Sequence, residues 1–371
     1  MTEKIKKICF LLPPTYFLFS KKPGLIGGAE INFYYLAKEF AQKEGYIVDF
    51  FVGDFGQSSP EYYDKLKLIK IKHFNYGQEH RFYYPLSWRF YLIKTILNNP
   101  SDVFIISTMS VVSVYLTFLV QIVKKKKVIY RVASDLDVNG IFTRKNTLNA
   151  YFYRKMLKRA DVIVCQNSKQ ADILYNTHQL KAVVIQNGFP IKLPQIHHIS
   201  REKILWIGKA DENKNPLLFL SLAELLPNEN FVMILTGDNK TKRDIINNYQ
   251  DKNNIQIIDF VSFFEIDNYF KNAKCFVNTS KFEGSPNTFI QAGLNLCPIL
   301  SFNVNPDDMI TKYSLGCYCD GSLERAVNFI KTLDSDKISQ YGKNALNYVS
   351  TNHNLNDTVK KYQELIEKFD Q

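Results

Sequence analysis

The stretch "KCFVNTSKFEGSPNTFIQAG" (274–293) contains a short apolar strand, a Gly-Ser-Pro turn and the start of a helix. Ser285 can cap that helix and Pro286 suits its first position. The first backbone amides, at Asn287 and Thr288, are then predicted to face outward. A helix terminus of this kind binds phosphate through its amides and its dipole. We therefore predict a strand–turn–helix unit that binds an anion.

Two side chains flank this predicted helix terminus. Glu283 stands just before the turn and can accept hydrogen bonds from neutral hydroxyls such as those of a sugar. Gln291 lies one turn or more into the helix, within reach of a second hydroxylated group. Taken singly, the first could be a solvated loop carboxylate and the second an exposed helix residue, but their spacing around one terminus favours a ligand.

A second strand end carries two cations. The strand "ILWIG" is followed by the polar loop "KADENKNP" (209–216), in which Lys209 and Lys214 are five residues apart. Lysines there can neutralise a diphosphate as point charges, although two ordinary surface lysines would give the same pattern. Gly208, the last residue before the loop, is assigned to the same ligand-binding region.

The whole chain alternates apolar strands with helices, which predicts parallel sheets covered by helices on both faces. Two such series are separated by the proline-containing segment 189–202. We predict an α/β protein of two Rossmann-like domains facing across a cleft. The first covers residues 1–188 and the second 203–353. The last helix, 354–371, could cross back to the first domain.

The first half carries two weaker signals. "KKPGLIGGAE" (21–30) places Gly28 directly before a helix, where backbone can approach a ligand. The pattern is not Gly-x-Gly-x-x-Gly, which argues against a nicotinamide-dependent oxidoreductase. "ASDLDVNG" (133–140) contains Asp-x-Asp but no third metal ligand, so we expect neither a metal site nor a resident cofactor. Asp135, at the end of a central strand, is instead predicted to face a second substrate, the acceptor.

Charge is distributed unevenly. Up to residue 187 there are 27 Lys and Arg against 14 Asp and Glu, and from there on 20 against 22. The clusters "KIKK" (4–7), "KLKLIKIK" (65–72) and "VKKKKV" (123–128) suggest that the first half faces an anionic partner such as a membrane surface. A lysine-rich surface that serves solubility is the alternative. Because no recognition helix or aromatic–basic module is visible, no nucleic acid is expected as a partner.

The segment 103–123 is uncharged and long enough to span a bilayer. Six of its residues are Ser, Thr or Gln, and residues 107–110 look like a break. We therefore predict a buried strand (103–108) followed by a core helix (111–123). The N-terminus has no apolar core of a signal peptide, and the six cysteines are spread thinly. These features predict a cytoplasmic protein, and attachment to the inner face of the cell membrane stays open.

Together these segments resemble retaining glycosyltransferases of family 4, which have the GT-B fold. The resemblance rests on "GGAEINFYYLAKEF", "ADVIVCQNSKQADIL", "VVIQNGFP", "WIGKADENKNPLLFL", "FVSFFEIDNYFKNAKCFVNTSKFEGSPNTFIQAG" and "CPILSFNVNPDDMI". The most specific part is a family pattern of two glutamates separated by seven residues, with Gly after the first and Pro three positions on.

The resemblance implies transfer of a sugar from a nucleotide diphosphate sugar to a carbohydrate or lipid-linked acceptor, without a metal. Lys209 and Lys214 would bind the donor diphosphate and Glu283 the donor sugar. Position 291 would bind the ribose. Gly28 would lie near the donor phosphate, and the loop at Val261 would lie beside the nucleobase.

The chain departs from the family at two positions. The second glutamate is Gln291, and no histidine follows the strand "VIYRVASD", where the family often has one. Two other functions therefore stay open, a non-catalytic homologue that binds nucleotide sugars and a sugar-nucleotide epimerase of GT-B type. Synthesis of cell-surface polysaccharide or glycolipid is suggested by the family. The sugar, the base and the acceptor stay open.

Overall fold

The structure is a computed structural model that describes residues 5–24, 26–74, 87–144, 147–192, 201–237, 239–249 and 252–370. The chain forms two compact units. The first comprises Met1–Pro190 with Leu355–Gln371, and the second comprises Ile191–Asn354. Most of the predicted linker 189–202 lies outside the described residues.

The elements of the first unit alternate along the chain. Its described strands are β1 (Lys6–Leu11), β2 (Tyr46–Val52), β3 (Glu61–Tyr63), β4 (Leu66–Lys70), β5 (Val103–Ser107), β6 (Lys127–Arg131), β7 (Val162–Cys165) and β8 (Val183–Val184). Its helices up to that point are α1 (Tyr16–Ser20), α2 (Gly28–Gln42), α3 (Ser87–Asn98), α4 (Val111–Phe118), α5 (Leu148–Arg159) and α6 (Ser168–His178).

These strands form one sheet in the order β3-β4-β2-β1-β5-β6-β7-β8, parallel except for the β3–β4 pair. Strand β5 is buried along its whole length, as expected for a central strand covered by helices on both faces. The chain first builds outward from β1 to β2 and then continues from β5 on the other side of β1. The carboxyl ends of β1 and β5 therefore flank a topological switch point.

The apolar segment 103–123 folds as predicted, as strand β5, a break and helix α4. Ser110 caps α4 by accepting a hydrogen bond from the Ser113 amide at 3.1 Å. A π-helical turn, Leu119–Val123, then continues the helix. Among the described residues, no helix is long and apolar enough to cross a membrane.

The basic cluster 65–72 contains a strand that we did not predict. Its central part is strand β4, which pairs with both β2 and β3. Leu66 and Leu68 point into the core while lysines alternate with them. The period of two that marks a half-buried strand was therefore present in the sequence, and we interpreted it as a run of charge.

The second unit repeats the same design. Its described strands are β9 (Lys203–Lys209), β10 (Asn230–Thr236), β11 (Ile255–Ile258), β12 (Ala273–Asn278), β13 (Ile299–Ser301) and β14 (Gly316–Tyr318). Its helices are α7 (Pro216–Leu225), α8 (Lys240–Tyr249), α9 (Ile266–Lys271), α10 (Asn287–Leu294), α11 (Met309–Lys312), α12 (Leu323–Thr332) and α13 (Ser335–Asn352).

All strand pairs of this second sheet are parallel, in the order β11-β10-β9-β12-β13-β14. The order reverses between β9 and β12, which places a switch point at their carboxyl ends. The two doubly wound sheets confirm the predicted α/β class with two Rossmann-like domains.

The last helix, α14 (Leu355–Glu367), belongs to the first unit. The Leu355 amide donates to the Phe189 carbonyl at 3.0 Å, and α14 packs on α2. Tyr362 of this helix is fully buried, and its hydroxyl accepts a hydrogen bond of 2.7 Å from the buried Arg131 guanidinium. Because a buried guanidinium without partners is costly, this bond helps to hold α14 on the first sheet.

Candidate active site

The candidate site of the second unit lies at the β9–β12 switch point. Lys209 ends β9, and the loop 210–215 leads from it to α7. Asn278 ends β12, and the loop 279–286 leads to α10. Two loops predicted separately as ligand-binding are therefore neighbours, because β9 and β12 pair directly.

An ion pair joins the two loops. The Lys214 ammonium lies 2.8 Å from Glu283 Oε2. Glu283 Oε1 accepts hydrogen bonds from Ser280 Oγ at 2.6 Å and from Asn278 Nδ2 at 2.8 Å. Burial raises the pKa of the Glu283 carboxyl, but the Lys214 charge and the hydrogen bonds from Lys214, Ser280 and Asn278 outweigh it. The net pKa lies below its ordinary value, so Glu283 is a carboxylate at neutral pH.

Hydrogen bonds between uncharged groups also hold these two loops together. The buried Trp206 indole donates to Thr279 Oγ1 at 2.8 Å, and that hydroxyl donates to the Lys214 carbonyl at 2.6 Å. Asn213 adds a second connection, since its side chain donates to the Phe282 carbonyl and accepts from the Phe282 amide. The Lys281 amide also donates to the Asn213 carbonyl at 2.8 Å. The Lys214–Glu283 pair is thus held by two rigid loops.

Sequence reasoning missed these supporting residues. Trp206, Thr279 and Asn213 match no catalytic motif, and their partners are distant in the sequence. Asn213 offered one signal, because a strand end followed by Asp, Asn and Pro is typical of a structured turn. That signal indicates the turn without indicating its partner loop.

Helix α10 begins one residue later than predicted. Pro286 has φ −63° and ψ 119°, so it occupies the N-cap position, and Asn287 is the first helical residue. Ser285 lies just before the N-cap position that we predicted for it. Its place is one residue further out because the extended ψ of Pro286 delays the first helical turn. The Phe289 amide donates to the Pro286 carbonyl at 3.0 Å, so the amides of Asn287 and Thr288 come before the first bonded turn.

The alternatives for Glu283 and Gln291 are both wrong. The Glu283 side chain is 16% exposed and has three partners, so it is not a solvated loop carboxylate. Gln291 is only 6% exposed, so it is not a surface residue of the helix. A buried amide about one turn inside a helix that starts at the switch point is placed to contact a ligand or the core, and not bulk water.

The second cation and its glycine lie at the end of β9. The Lys209 side chain is exposed, and its ammonium has no hydrogen bond or ion pair within the described residues. A Cβ at Gly208 would lie 3.0 Å from the Trp206 ring and 3.6 Å from Lys214 Cδ. Glycine at 208 therefore makes room for the Trp206 ring, whereas the Lys214 side chain lies at an ordinary contact distance.

The Val261 loop is held by a buried lysine that sequence reasoning missed. Lys242 of α8 is 8% exposed, and its ammonium donates to the Gly237 carbonyl at 2.8 Å and to the Asp259 carbonyl at 2.9 Å. It also pairs with the Asp259 carboxylate. Lys242 thus connects the strand ends of β10 and β11, and the half-buried Val261 follows two residues after Asp259.

The predicted residues of the first unit lie near its own switch point. Gly28 begins α2, in the connection after β1. Asp135 follows β6 and accepts a hydrogen bond of 2.9 Å from the Gln170 amide group. The neighbouring Asp137 is buried and accepts from the Ala133 and Ser134 amides. Burial raises the pKa of Asp137 to about 6 despite these bonds. Asp137 is therefore a buried structural carboxylate, whereas Asp135 is half-buried and bonds to Gln170 of α6.

A cavity of about 390 Å³ lies elsewhere in the second unit. Its lining includes Lys203, Val232 and Tyr269. Lys203 begins β9, whereas Lys209 ends it, so the cavity is at the opposite end of that strand from the Lys214–Glu283 pair. It contains none of the predicted site residues.

Two family models match the chain in succession. The model described as Glycosyltransferase Family 4 matches residues 26–193, and the model described as Glycosyl transferases group 1 matches residues 192–347. The second match includes Lys209, Lys214, Glu283 and Gln291. A UDP-Gal:α-D-GlcNAc-diphosphoundecaprenol α-1,3-galactosyltransferase of Escherichia coli is 24% identical over 229 residues, 55% of this chain and 59% of that protein. The curated relatives are matched over 41% and 59% of their own length.

Solved structures match over nearly the whole chain. A sucrose-phosphate synthase of Thermosynechococcus elongatus has a TM-score of 0.80 at 13% identity, covering 98% of this chain and 99% of that one. HepE of Anabaena, solved with UDP and glucose, has a TM-score of 0.72 at 14% identity, covering 98% and 100%. These likenesses confirm the fold predicted for the chain as a whole.

Proposed function

Because the chain belongs to the family 4 glycosyltransferases of group 1, we propose that it transfers a sugar from a nucleotide diphosphate sugar to an acceptor hydroxyl, with retention of the anomeric configuration. The observation that carries this proposal is the Lys214–Glu283 pair at the β9–β12 switch point, directly before the start of α10. It combines a cation for a departing phosphate with an acceptor for sugar hydroxyls.

The cations and the helix start support a role in stabilising the leaving group. Breaking the bond to the sugar places negative charge on the departing diphosphate. Lys209 ends β9, and Lys214 lies in the loop after it. The first amides of α10 come after the loop that follows β12. One such preorganised donor contributes roughly 3–4 kcal/mol to lowering a barrier. We propose that these groups supply the stabilisation without a metal ion or other cofactor.

The nucleoside would lie on the loops that follow β11 and β12. Gln291 would hydrogen-bond a ribose hydroxyl, and the Val261 loop, held by Lys242, would lie beside the base. Phe260 and Phe264 of that loop are exposed aromatic side chains on which a base could stack. A uridine diphosphate sugar is the first donor to test, because the E. coli relative is named for UDP-Gal and the Anabaena structure contains UDP.

The acceptor would be a carbohydrate or lipid-linked sugar in the synthesis of a cell-surface polysaccharide or glycolipid. The name of the E. coli relative specifies a diphosphoundecaprenol acceptor, which supports the lipid-linked choice. Asp135 would face this acceptor in the first unit. We propose a cytoplasmic protein that binds peripherally to the anionic inner face of the cell membrane through its basic first half.

A second candidate function is a homologue that binds nucleotide sugars without transferring them. It is favoured by Gln291, which brings no charge to a position where the family has a glutamate. Glu283 and Lys214 would still bind the donor in such a protein.

A panel of nucleotide sugars separates these functions. Binding of each donor is measured by calorimetry. Release of nucleotide is measured with and without a polyprenyl-diphosphate sugar acceptor, and with and without a chelator. Nucleotide release that requires the acceptor and survives chelation supports metal-independent transfer. Binding without turnover supports the non-catalytic homologue, and interconversion of donor sugars without an acceptor supports the epimerase. No binding to any donor would contradict all three.

Gln291→Ala is expected to weaken binding of the nucleoside diphosphate by about tenfold, since one lost hydrogen bond in a buried site costs about 1–1.5 kcal/mol. Gln291→Glu is expected to tighten it, because a charged acceptor bonds hydroxyls about twice as strongly as a neutral one. Calorimetric titration of all three forms is the measurement. Equal affinities for Gln, Ala and Glu would remove position 291 from the ribose site.

Lys242→Met is expected to raise the Kd for the nucleoside diphosphate by about tenfold or more, because it removes the hydrogen bonds to the Gly237 and Asp259 carbonyls and so loosens the Val261 loop. The Kd for inorganic diphosphate should stay unchanged, since that ligand does not use the loop. Lys242→Arg should recover part of the affinity. The exposed Lys240 on the same helix supplies the control, Lys240→Met. An equal loss for both ligands would mean that Lys242 supports the fold in general and not the base-binding loop.

A further inference from the structure

Helix α4 and the π-helical turn Leu119–Val123 that continues it bury Val112, Leu116 and Val120 together with two polar residues, and the positions that they expose are apolar too. Ser113 and Thr117 are fully buried, and their hydroxyls donate to the carbonyls of Thr108 at 2.9 Å and Ser113 at 2.8 Å. On the outward side, Val111, Ile122 and Val123 are among the exposed apolar residues of the chain. No charged residue occurs from Val111 to Val123. A helix on a water-soluble surface normally places charged or polar residues on its outer face.

The neighbouring helix α5 extends this apolar face. Its first two turns expose Leu148, Tyr151 and Phe152, and Phe152 contacts Phe118 of α4 with ring centroids 6.1 Å apart. The preceding loop adds Ile141 and Phe142, and the Phe142 ring lies 6.3 Å from that of Tyr153. We define the α4–α5 surface as the eight residues Val111, Ile122, Val123, Ile141, Phe142, Leu148, Tyr151 and Phe152, whose exposed fractions run from 38% to 72%.

Cations border this surface where both helices end. Lys124–Lys127 directly follow the π-helical turn, and the last turns of α5 carry Lys155, Lys158 and Arg159. The Arg159 guanidinium lies 5.3 Å above the Phe118 ring, and the Lys155 ammonium lies 5.6 Å above the Tyr151 ring. From residue 111 to residue 160 the sequence has only two acidic residues, Asp135 and Asp137. Lys126 pairs with Asp102 and Lys127 with Asp161, so the positive charge of the border comes mainly from Lys125, Lys155, Lys158 and Arg159.

We propose that the α4–α5 surface inserts its apolar side chains into the interface of an anionic bilayer, with its lysines and arginines on the lipid headgroups. This inference deepens the membrane part of the proposed function and rests on it. Aliphatic and aromatic tips beside long cationic side chains suit a lipid interface, where stems bury and charges reach the headgroups. An acidic protein surface would match the cations but would leave the exposed Leu148 and Ile122 unburied.

The position of the surface agrees with a lipid-linked acceptor. Ile141 and Phe142 follow Asp135 in one short loop after β6. Asp135 is the residue that we propose for the acceptor side. Insertion of Ile141 and Phe142 would therefore bring a membrane-embedded acceptor close to the connection after β6 that carries Asp135.

Flotation with vesicles tests the surface. The wild-type chain is expected to bind vesicles that contain phosphatidylglycerol, to bind pure phosphatidylcholine vesicles much less, and to lose binding as salt rises. Leu148→Ser with Tyr151→Ser should lower the partition coefficient by about tenfold or more, since each removes inserted apolar area. Lys155→Gln with Lys158→Gln should lower it by about tenfold or more on anionic vesicles alone.

Matched controls use equal changes outside the surface. Lys169→Gln with Lys181→Gln removes the same charge from exposed sites of the same unit, and Tyr62→Ser removes an exposed aromatic ring. Both controls should bind like the wild type. Binding that is absent, or that responds equally to surface and control variants, would overturn the proposal. A concentration-dependent dimer that Leu148→Ser dissociates would also overturn it, because a second copy would then cover the face. Donor binding measured on the same variants should be unchanged, so failure of this surface is distinguishable from failure of the proposed function.

Discussion

Lys214→Ala is expected to lower the rate of sugar transfer by about 10²- to 10³-fold, the range seen when one preorganised donor to a developing anion is removed. Two effects combine. The departing diphosphate loses a cation that is held rigidly by the Thr279 and Asp211 hydrogen bonds to the Lys214 backbone. Glu283 also loses its ion-pair partner. The fold should survive, because the backbone bonds of the loop do not involve the ammonium.

The control is Lys281→Ala in the adjacent loop. Lys281 pairs with Glu212 at 2.7 Å, but both side chains are exposed, and exposed ion pairs contribute little to stability. Its transfer rate should stay close to wild type. Near-normal turnover by Lys214→Ala with a verified donor would show that Lys214 does not bind the diphosphate.

The pH dependence of the same variant follows from the ion pair. Lys214 holds the pKa of Glu283 below its ordinary value against the effect of burial. Without the ammonium the burial effect is less opposed, so the pKa rises. If transfer needs the carboxylate form, the acidic limb of the rate profile should move to higher pH in Lys214→Ala. An unmoved limb would mean that another group controls it.

The sequence was sufficient for the elements whose apolar pattern has one interpretation. Strand β5, the break after Ser107 and helix α4 were predicted because Ser and Thr interrupt an apolar run too polar to span a bilayer. Strand β4 was not, because alternating lysines satisfy both a half-buried strand and a basic cluster. Pairing with β2 decides between them, and that pairing joins segments that are distant in the sequence.

The candidate site was predicted as residues but not as an arrangement. Lys214 and Glu283 were each singled out on strand-end loops, yet their ion pair depends on the direct pairing of β9 with β12 and on the left-handed backbone of Asn215, with φ 48°. Lys242 was missed because the helix α8 is polar, and a lysine in such a helix resembles a solvated residue. Its burial arises from the loops after β10 and β11, which meet above it only in the folded sheet.

Glu283→Gln is expected to abolish measurable transfer, with a loss of about 10²- to 10³-fold or more, although the two side chains have the same shape. All partners of Glu283 are donors, namely Lys214 at one oxygen and Ser280 with Asn278 at the other. A glutamine has one acceptor and one amino group, so its amino group must face a donor. At least one buried partner is then left without an acceptor, and the variant should also lose about 1–3 kcal/mol of unfolding free energy.

The measurements are the transfer rate, the Kd for the donor and the free energy of unfolding in urea. Glu212→Gln, which removes a charge from an exposed pair of the neighbouring loop, is the control and should leave all three measurements close to those of the wild type. Glu283→Asp keeps the charge but is shorter by one methylene group. It should keep the Ser280 and Asn278 bonds or the Lys214 pair, but not both, and so should retain more stability than activity.

A double-mutant cycle decides whether Glu283 acts through Lys214. If each single change harms the site partly by leaving the other group unpaired, Lys214→Met with Glu283→Gln should destabilise the protein by less than the sum of the two single changes. The unfolding free energies of the four forms give this coupling directly. For transfer, the rate of the double variant should be close to that of the worse single variant, because both residues serve the same step. Additive losses in both stability and rate would mean that the 2.8 Å pair is incidental and that each residue meets the donor independently.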